Sequence, residues 1–451
     1  MYAYKLVLCT GGDELPVDNI YNILSRMPLK SLAHFQCVSK VWCNYITDPY
    51  LEIIMHNAKR AAMNDDPTML IMYQLDLYPY AYASASSSAS LTMLVTKEEE
   101  KSATTHDEAV ITTKNPPTPY MKFVCKDWGS RFFLEGDIIL GSCKGLIFSS
   151  QDHHPDNVDD GTTVLFVINP LKKFCYKLPP IKIWSCTSPC DEREACGLGY
   201  DDSTNTYKMV CVVLRNQDKI RSYIDDAEVV KEDLCTIVHV LGGTEDSSSW
   251  REIPVVPAYP ISGEAVFVFA NGCLHWLVSD LLKYWPSNAP KKVICFDMMK
   301  EKFGLIEPPN TRIRRGREHL VDLDGQVGLV YDDFRTSSCI EVWLLLNQNQ
   351  YNNKTTKCWS WVLHCRFDRK PLLPPKMFIK VIGYWNKDAD DLLITDHSRG
   401  HLFVYRLKHG VFHEANFIYQ SDADRTDIQL YQPTFSSILR RSINNRWSLL
   451  Y

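Results

Sequence analysis

One unit recurs through the latter part of this 451-residue chain: a run of branched and aromatic residues, a polar turn, an aromatic anchor and then proline. It reads INPLKKFCYKLPP at 168–180, LGGTEDSSSWREIPVVP at 241–257 and CFDMMKEKFGLIEPP at 295–309. Weaker copies are NKTTKCWSWVLHCRF (353–367) and VYRLKHGVFHEANF (404–417). The anchors Phe174, Trp250, Phe303, Trp361 and Phe412 fall roughly 50 to 76 residues apart, near the propeller-blade period of about 40–50 with insertions. A second unit precedes several of them: CKGLIF (143–148), GLGYDD (197–202), NGCLHWL (271–277) and QVGLVYDD (326–333). Turn dipeptides separate the apolar runs, among them Asn169-Pro170, Gly242-Gly243, Asn271-Gly272, Asp324-Gly325 and His409-Gly410. Many short strands with frequent turns make an all-β unit, and radial repetition protects strand edges. The expectation over residues 120–430 is therefore an irregular β-propeller of about six blades, with a β-sandwich as the alternative. Residues 431–451 are read as a C-terminal tail.

The composition changes before this unit begins. AYASASSSAS is low in complexity, KEEEKSATTHDEA is charged and KNPPTP is proline-rich. Such segments bury too little apolar area to offset the entropy of ordering them. Residues 63–119 are accordingly read as a linker, with one strand at Leu91–Val95.

Residues 10–62 have a helical texture. Ile20, Ile23, Leu24 and Met27 lie three, one and three residues apart, one apolar face of a helix that Pro16 starts. Pro28 ends it, because the residue before proline avoids the helical region. Ser31 caps a second segment with Leu32 and Phe35 inward. Val38, Val41, Trp42, Tyr45 and Ile46 form a further stripe closed by Asp48-Pro49, and another helix follows from about residue 51 to 62. This much apolar surface on so short a stretch exceeds what a core of its size can hide.

Charge and motifs exclude most chemistry. A net charge of −5 leaves no basic footprint for nucleic acid. The one basic run, Arg312 to Arg317, has no interleaved aromatics to stack bases. No apolar run reaches the length of about 18 residues that a membrane span needs, and the N-terminus lacks the form of a secretory signal. The expected location is the cytosol or nucleus, with the 16 cysteines mostly reduced. There is no phosphate-binding glycine loop, dinucleotide fingerprint, HExxH or GxSxG. Cys186, Cys190 and Cys196 with His153 and His154 are the nearest approach to a metal set, but they lack the paired CxxC spacing. His364-Cys365 with Arg366 and Arg369 does not complete a phosphatase loop. The pairs Asp201-Asp202, Asp332-Asp333 and Asp390-Asp391 read as turn chemistry rather than calcium ligands. No cofactor and no catalytic residue is expected.

The order Leu15-Pro16, Ile20, Ile23-Leu24-Ser25-Arg26-Met27-Pro28, Lys30-Ser31-Leu32, Phe35, Val38-Ser39-Lys40, Trp42, Ile46, Asp48-Pro49 resembles an F-box. Met27 stands where leucine is more usual. The later segments CKGL, INP, GLGYD and NGCLHWL resemble the F-box-associated region of the large plant F-box family. That resemblance implies a helical module docking on a Skp-type adaptor and, through it, on cullin and RING subunits. It also implies a β domain that holds a target protein, so that the chain is a non-catalytic substrate receptor of an SCF-type ubiquitin ligase. By position in the motif, Leu15, Pro16, Ile20, Leu24, Leu29, Leu32, Val38 and Trp42 form the adaptor-facing and supporting set. The alternative is that some residues of the motif, Ile23 and Phe35 above all, only hold the helices together. Two rival readings keep the same folds: an adaptor-binding scaffold or decoy without ubiquitination, and a propeller enzyme.

Overall fold

The computed structural model describes residues 16–27, 31–32, 35–36, 38–48, 50–51, 54–55, 69–76, 88–95, 121–125, 139–152, 162–169, 174–179, 181–182, 195–214, 234–241, 249–259, 261, 267–278, 291–311, 317–333, 339–347, 359–369, 379–386, 390–396, 402–415, 425–431 and 447–450. Two helices, α1 (Val17–Ser25) and α2 (Lys40–Thr47), precede an all-β region. Three strands come first in that region: β1 (Met69–Asp76), β2 (Ser88–Val95) and β3 (Met121–Cys125).

Five antiparallel sheets then form, each from consecutive chain. The first is β4 (Ile139–Cys143), β5 (Leu146–Asp152), β6 (Thr162–Asn169) and β7 (Phe174–Lys177), with β8 (Ile181–Lys182) against β6. The second is β9 (Ala195–Asp201), β10 (Thr206–Leu214), β11 (Leu234–Leu241) and β12 (Arg251–Ile253). The third is β13 (Val268–Ala270), β14 (Cys273–Leu277), β15 (Val293–Asp297) and β16 (Lys302–Ile306). The fourth is β17 (Arg317–Asp322), β18 (Val327–Asp332), β19 (Cys339–Asn347) and β20 (Trp359–Asp368). The fifth is β21 (Ile379–Asn386), β22 (Asp391–Asp396), β23 (Leu402–Arg406) and β24 (Val411–Ala415).

One more sheet is composite. Its order is β25–β1–β2–β3–β26, with β25 (Arg425–Tyr431) and β26 (Trp447–Leu450) supplied by the chain's last residues. The first strands of the sheets lie side by side in the order β4, β9, β13, β17, β21, β25, and β25 returns to β4. Such a ring is a β-propeller, not a sandwich. The composite sheet corrects two boundaries read from composition. β1 and β2 fall within residues 63–119, and β26 falls within the supposed tail. β1 pairs with nearby β2, but its other partner β25, like β26 for β3, is far away in sequence, so local composition carries no sign that these strands share one sheet.

The repeats have a physical reason. Two of the dipeptides read as turns take the left-handed conformations that short hairpins need. Asn271-Gly272 has φ 53° and 72°, and Asp324-Gly325 has 57° and 76°. The aromatic anchors tie one sheet to the one before it. Trp250 donates through Nε1 to the Pro179 carbonyl at 2.9 Å, and Trp361 donates to the Glu307 carbonyl at 2.8 Å. Both acceptors lie in the proline exits, LPP and EPP, of the preceding repeat. Phe412 instead packs in its own seam against Phe367 and Tyr405.

Between these ties the seams are apolar. One cluster, including Phe148, Leu198, Trp276 and Phe296, runs through the first three sheets. Others join the third sheet to the fourth and the fourth to the fifth. A polar bond crosses the seam between the composite sheet and the first: Tyr431 on β25, 1% exposed, donates to the Gly145 carbonyl in the β4–β5 turn at 2.8 Å.

Candidate functional site

In the described propeller the side chains singled out in the sequence are buried or paired. Burial pushes the Cys365 thiol up to about 12, the reverse of an activated nucleophile. Its neighbour His364 shares a 3.0 Å hydrogen bond with Tyr384. The aspartates after the strands are committed to basic side chains. Asp201 meets Lys208 at 2.8 Å, Asp332 meets Arg369 at 2.9 Å and Asp391 lies 3.7 Å from Arg406. Cys196 stands opposite Cys211 across β9 and β10 and is disulfide-bonded to it, which departs from the expectation of reduced thiols there. His153, His154, Cys186 and Cys190 lie outside the described residues. Among the described residues no group of three His, Cys, Asp or Glu could hold a metal ion. No described helix is long and apolar enough to cross a membrane.

The helical module is different in kind. Pro16 presets the backbone at the start of α1 and accepts from the Ile20 N–H at 3.2 Å. Ile20, Tyr21 and Leu24 then fall on one face and are buried. Tyr21 donates its hydroxyl to Asp48 Oδ2 at 2.6 Å, and Asp48 Oδ1 accepts the Tyr50 N–H at 2.9 Å. Burial first, and Asp48 next, push the Tyr21 hydroxyl far up its scale, so it remains a donor. The Tyr21 ring also meets Tyr45 and Tyr50 edge-on, at 5.4 and 5.0 Å between centroids. In this way α1 is fixed to the end of α2. Ser39 caps α2 by accepting the Trp42 N–H at 3.2 Å. Leu32, Tyr45, Ile46, Leu51 and Met55 complete the interior.

A second apolar set stays outside. Val17, Ile23, Val38, Val41 and Tyr50 are exposed, Ile23 by 52% and Val38 by 65%. The residues read from the motif divide between the two sets. Ile20, Leu24 and Leu32 lie in the interior at 3%, 0% and 0% exposure. Pro16 and Val38 are at the surface, and half-buried Trp42 stacks on Phe35 at 5.7 Å. Leu15 and Leu29 lie outside the described residues. Ile23, for which holding the helices together was the alternative role, points out of the module. Val17, Val41 and Tyr50 were missed as surface residues. The available signal was Tyr21: a helix face that buries Ile20, Tyr21 and Leu24 turns Ile23 about 100° away.

Comparison with known proteins agrees with both halves of the chain. The sequence pattern described as "F-box domain" matches residues 13–54, and that described as "F-box associated beta propeller domain" matches residues 93–364. An F-box/kelch-repeat protein of Arabidopsis thaliana, At3g23880, is 21% identical over 89% of this chain and 90% of its own length. A second, At4g19930, is 22% identical over 76% and 69%. The F-box protein At3g07870 of the same plant is 22% identical over 74% and 70%. Among solved structures, a chain of a nidogen/laminin complex overlays with a TM-score of 0.33 at 12% identity, over 81% of this chain and 98% of that one. The chain belongs to the F-box proteins that carry an F-box-associated β-propeller.

Proposed function

We propose that this chain is the substrate-recognition subunit of an SCF-type ubiquitin ligase. Its helical module docks on a Skp-type adaptor and so recruits cullin and RING subunits in the cytosol or nucleus. The propeller, closed by the composite sheet as its sixth blade, holds the target protein on loops at one face. The receptor makes and breaks no bond itself and uses no cofactor. It raises the effective concentration of a target lysine near the charged conjugating enzyme. The unit that carries the propeller begins near residue 69, and residues 447–450 belong to it.

The observation that carries this reading is the exposed set Val17, Ile23, Val38, Val41 and Tyr50 on a module whose interior is already filled. Helical faces of this kind gain by burial in an apolar partner groove. Within the motif set, Pro16, Val38 and Trp42 belong to the adaptor-facing surface with Leu15 and Leu29, while Ile20, Leu24 and Leu32 support it from beneath. The test is co-purification of the full chain with a Skp-type adaptor and cullin. Wild type should retain both, and Ile23→Asp/Val38→Asp should lose both while the propeller melts unchanged. Equal retention by that variant would remove this surface from the docking site. Adaptor without cullin would favour a scaffold or decoy.

A further inference from the structure

Strand order fixes which connections share an end of the propeller. From β4 to β24 each sheet has four antiparallel strands on its path, so the chain leaves a sheet at the end where it entered. The turns that join first and second strands (144–145, 202–205, 271–272, 323–326 and 387–390) therefore gather at one face. There Lys144 and Asp202 meet at 2.7 Å, and Tyr207 donates its hydroxyl to the Lys144 carbonyl at 3.1 Å. β1 starts at this face as well, because Met69 stands opposite Tyr431, the residue bonded to Gly145. The chain that follows the helical module thus enters the propeller from the turn side. Connections between second and third strands, and from one sheet to the next, lie at the opposite face.

Charge is divided unevenly over that opposite face. The connections within and between the third, fourth and fifth sheets are 278–292, 307–316, 333–338, 369–378 and 397–401. Together they carry eleven Lys and Arg against three Asp and Glu, in a chain whose net charge is −5. The connections on either side of this arc (153–161, 178–194, 215–233, 254–267 and 416–424) carry six against fifteen. On the turn face the same three sheets are nearly balanced, with five against four. Two of the basic stretches meet at described residues. The Lys291 N–H donates to Glu318 Oε2 at 2.8 Å, which sets the end of the β14–β15 connection beside exposed Arg317 at the start of β17. Arg312, Arg314 and Arg315 come just before Arg317. The acids nearby are engaged: Glu307 holds Lys292 at 2.6 Å, and buried Asp332 holds Arg369 at 2.9 Å. Buried Glu341 accepts from the Thr311 hydroxyl at 2.7 Å and Trp343 Nε1 at 3.1 Å.

We propose that the basic arc of this face, centred on Lys291, Lys292 and Arg317 with Arg312, Arg314 and Arg315 beside them, receives an acidic segment of the protein that the propeller holds. Opposite charge steers such a segment onto the arc, and repulsion from the acidic connections on either side fixes where it lies. The contact is made near solvent, so salt weakens it. A nucleic acid is a poorer match, because no aromatic interleaves the arginines of 312–317 to stack a base. This assignment rests on the receptor reading above and names the face and the chemistry of one contact within it.

The test uses the full chain co-purified with its adaptor and the rhodamine-labelled peptide Gly-Asp-Glu-Asp-Glu-Asp-Glu-Gly, read by fluorescence anisotropy. A second anionic peptide carries phosphoserine in place of the carboxylates, and two comparison peptides carry asparagine with glutamine, or lysine. At least one anionic peptide should bind at least fivefold more tightly than the neutral one, the tighter of the two naming the source of charge. Raising salt from about 50 mM to about 300 mM should weaken it at least threefold. Arg312→Gln/Arg314→Gln/Arg315→Gln and Lys291→Gln/Arg317→Gln should each do the same with the propeller transition in place. Lys354→Gln/Lys357→Gln, on the turn face, should leave binding unchanged. Equal binding of neutral and anionic peptides, survival of binding in the arginine variant, or an equal loss from the turn-face variant overturns the assignment. So does a single-stranded DNA that binds more tightly than either anionic peptide. Retention of the adaptor reads the ligase reading separately, so the two can fail independently.

Discussion

The helical module and the propeller use apolar side chains in opposite proportions. Among the described residues the module buries eight large or medium apolar side chains and exposes five, whereas the propeller buries sixty and exposes six. A propeller closes on itself, and each sheet face finds another sheet. Among the described residues the module has two helices and shorter helical pieces at 31–32, 50–51 and 54–55, too little to cover both of its faces. Its stability and its partner are therefore one problem, while those of the propeller are separate. A change in the propeller interior should unfold the propeller and spare adaptor docking. A change in the module should abolish docking and spare the propeller.

The largest effect is expected at Gly383, on β21. Its φ of 149° is open only to glycine, and a Cβ there would lie 2.6 Å from Leu430 Cδ1 on β25 and 3.0 Å from the Asp322 carbonyl on β17. Three of the ring's first strands meet at this point. Gly383→Val combines backbone strain with overpacking and should cost about 4 kcal/mol. Calorimetry should show the propeller transition lowered or lost, with adaptor retained in pull-down. Loss of adaptor in the same variant would mean that the two regions are coupled.

Leu24→Ala tests the converse. The side chain is fully buried, and its truncation should cost about 3 kcal/mol in a module with little to spare. Adaptor capture should fall at least tenfold, with the propeller transition unmoved. Ile23→Ala sharpens the point. Ile23 is half-exposed, so its loss should leave the module's own stability within about 0.5 kcal/mol. Capture should nevertheless weaken if the exposed face that carries Ile23 is the docking side proposed above.

These two neighbours also show how far the sequence could be read. The helix itself was legible from the spacing of Ile20, Leu24 and Met27. The side to which Ile23 belongs was not, because Tyr21 takes the inward place through Asp48, 27 residues away. The propeller repeats were legible because turns and anchors are local. Asn271-Gly272 and Asp324-Gly325 carry their backbone conformation in the dipeptide, and Trp250 and Trp361 mark the seams with their own side chains. The composite sheet was not legible. β1 pairs with β25 across some 350 residues, Leu70 opposite Leu430, and no local pattern records such a partner.

Titration separates the regions at a smaller scale. Burial alone would raise the Asp201 carboxyl, but the Lys208 ammonium and the Ser203 and Thr204 donors outweigh it and hold the group well below the usual carboxylate range. A depressed folded value stabilises the propeller above the unfolded value of about 3.9 and is lost as pH falls below it. Glu301, held down by Arg251 and Lys208 against its own burial, acts in the same direction. Asp201→Asn should cost about 2 kcal/mol at pH 7, as expected for hydrogen bonds to a charged group. It should also flatten the fall in propeller Tm between pH 5 and pH 3, values chosen to bracket that range of about one unit either side of 3.9. An unchanged slope would assign the acid sensitivity of the propeller to other groups.

Ser39→Ala is a small change, and it bears most directly on how the module is built. Ser39 supplies the cap of α2, and the residue whose N–H it accepts is Trp42, which stacks on Phe35. Loss of a serine cap typically costs about 1 kcal/mol. In the propeller a loss of that size would vanish into a large interior. In the module it loosens the first turn of α2, where exposed Val38 and Val41 flank the cap. Adaptor capture should therefore weaken by roughly fivefold, since about 1 kcal/mol converts to that factor. Ser39→Asp should restore capture, because an aspartate caps as well as serine and favours the positive end of the helix. Weakening without rescue would mean that the serine hydroxyl itself meets the adaptor. Rescue would place the effect in the order of α2, and so in the same few side chains that both hold the module together and present it.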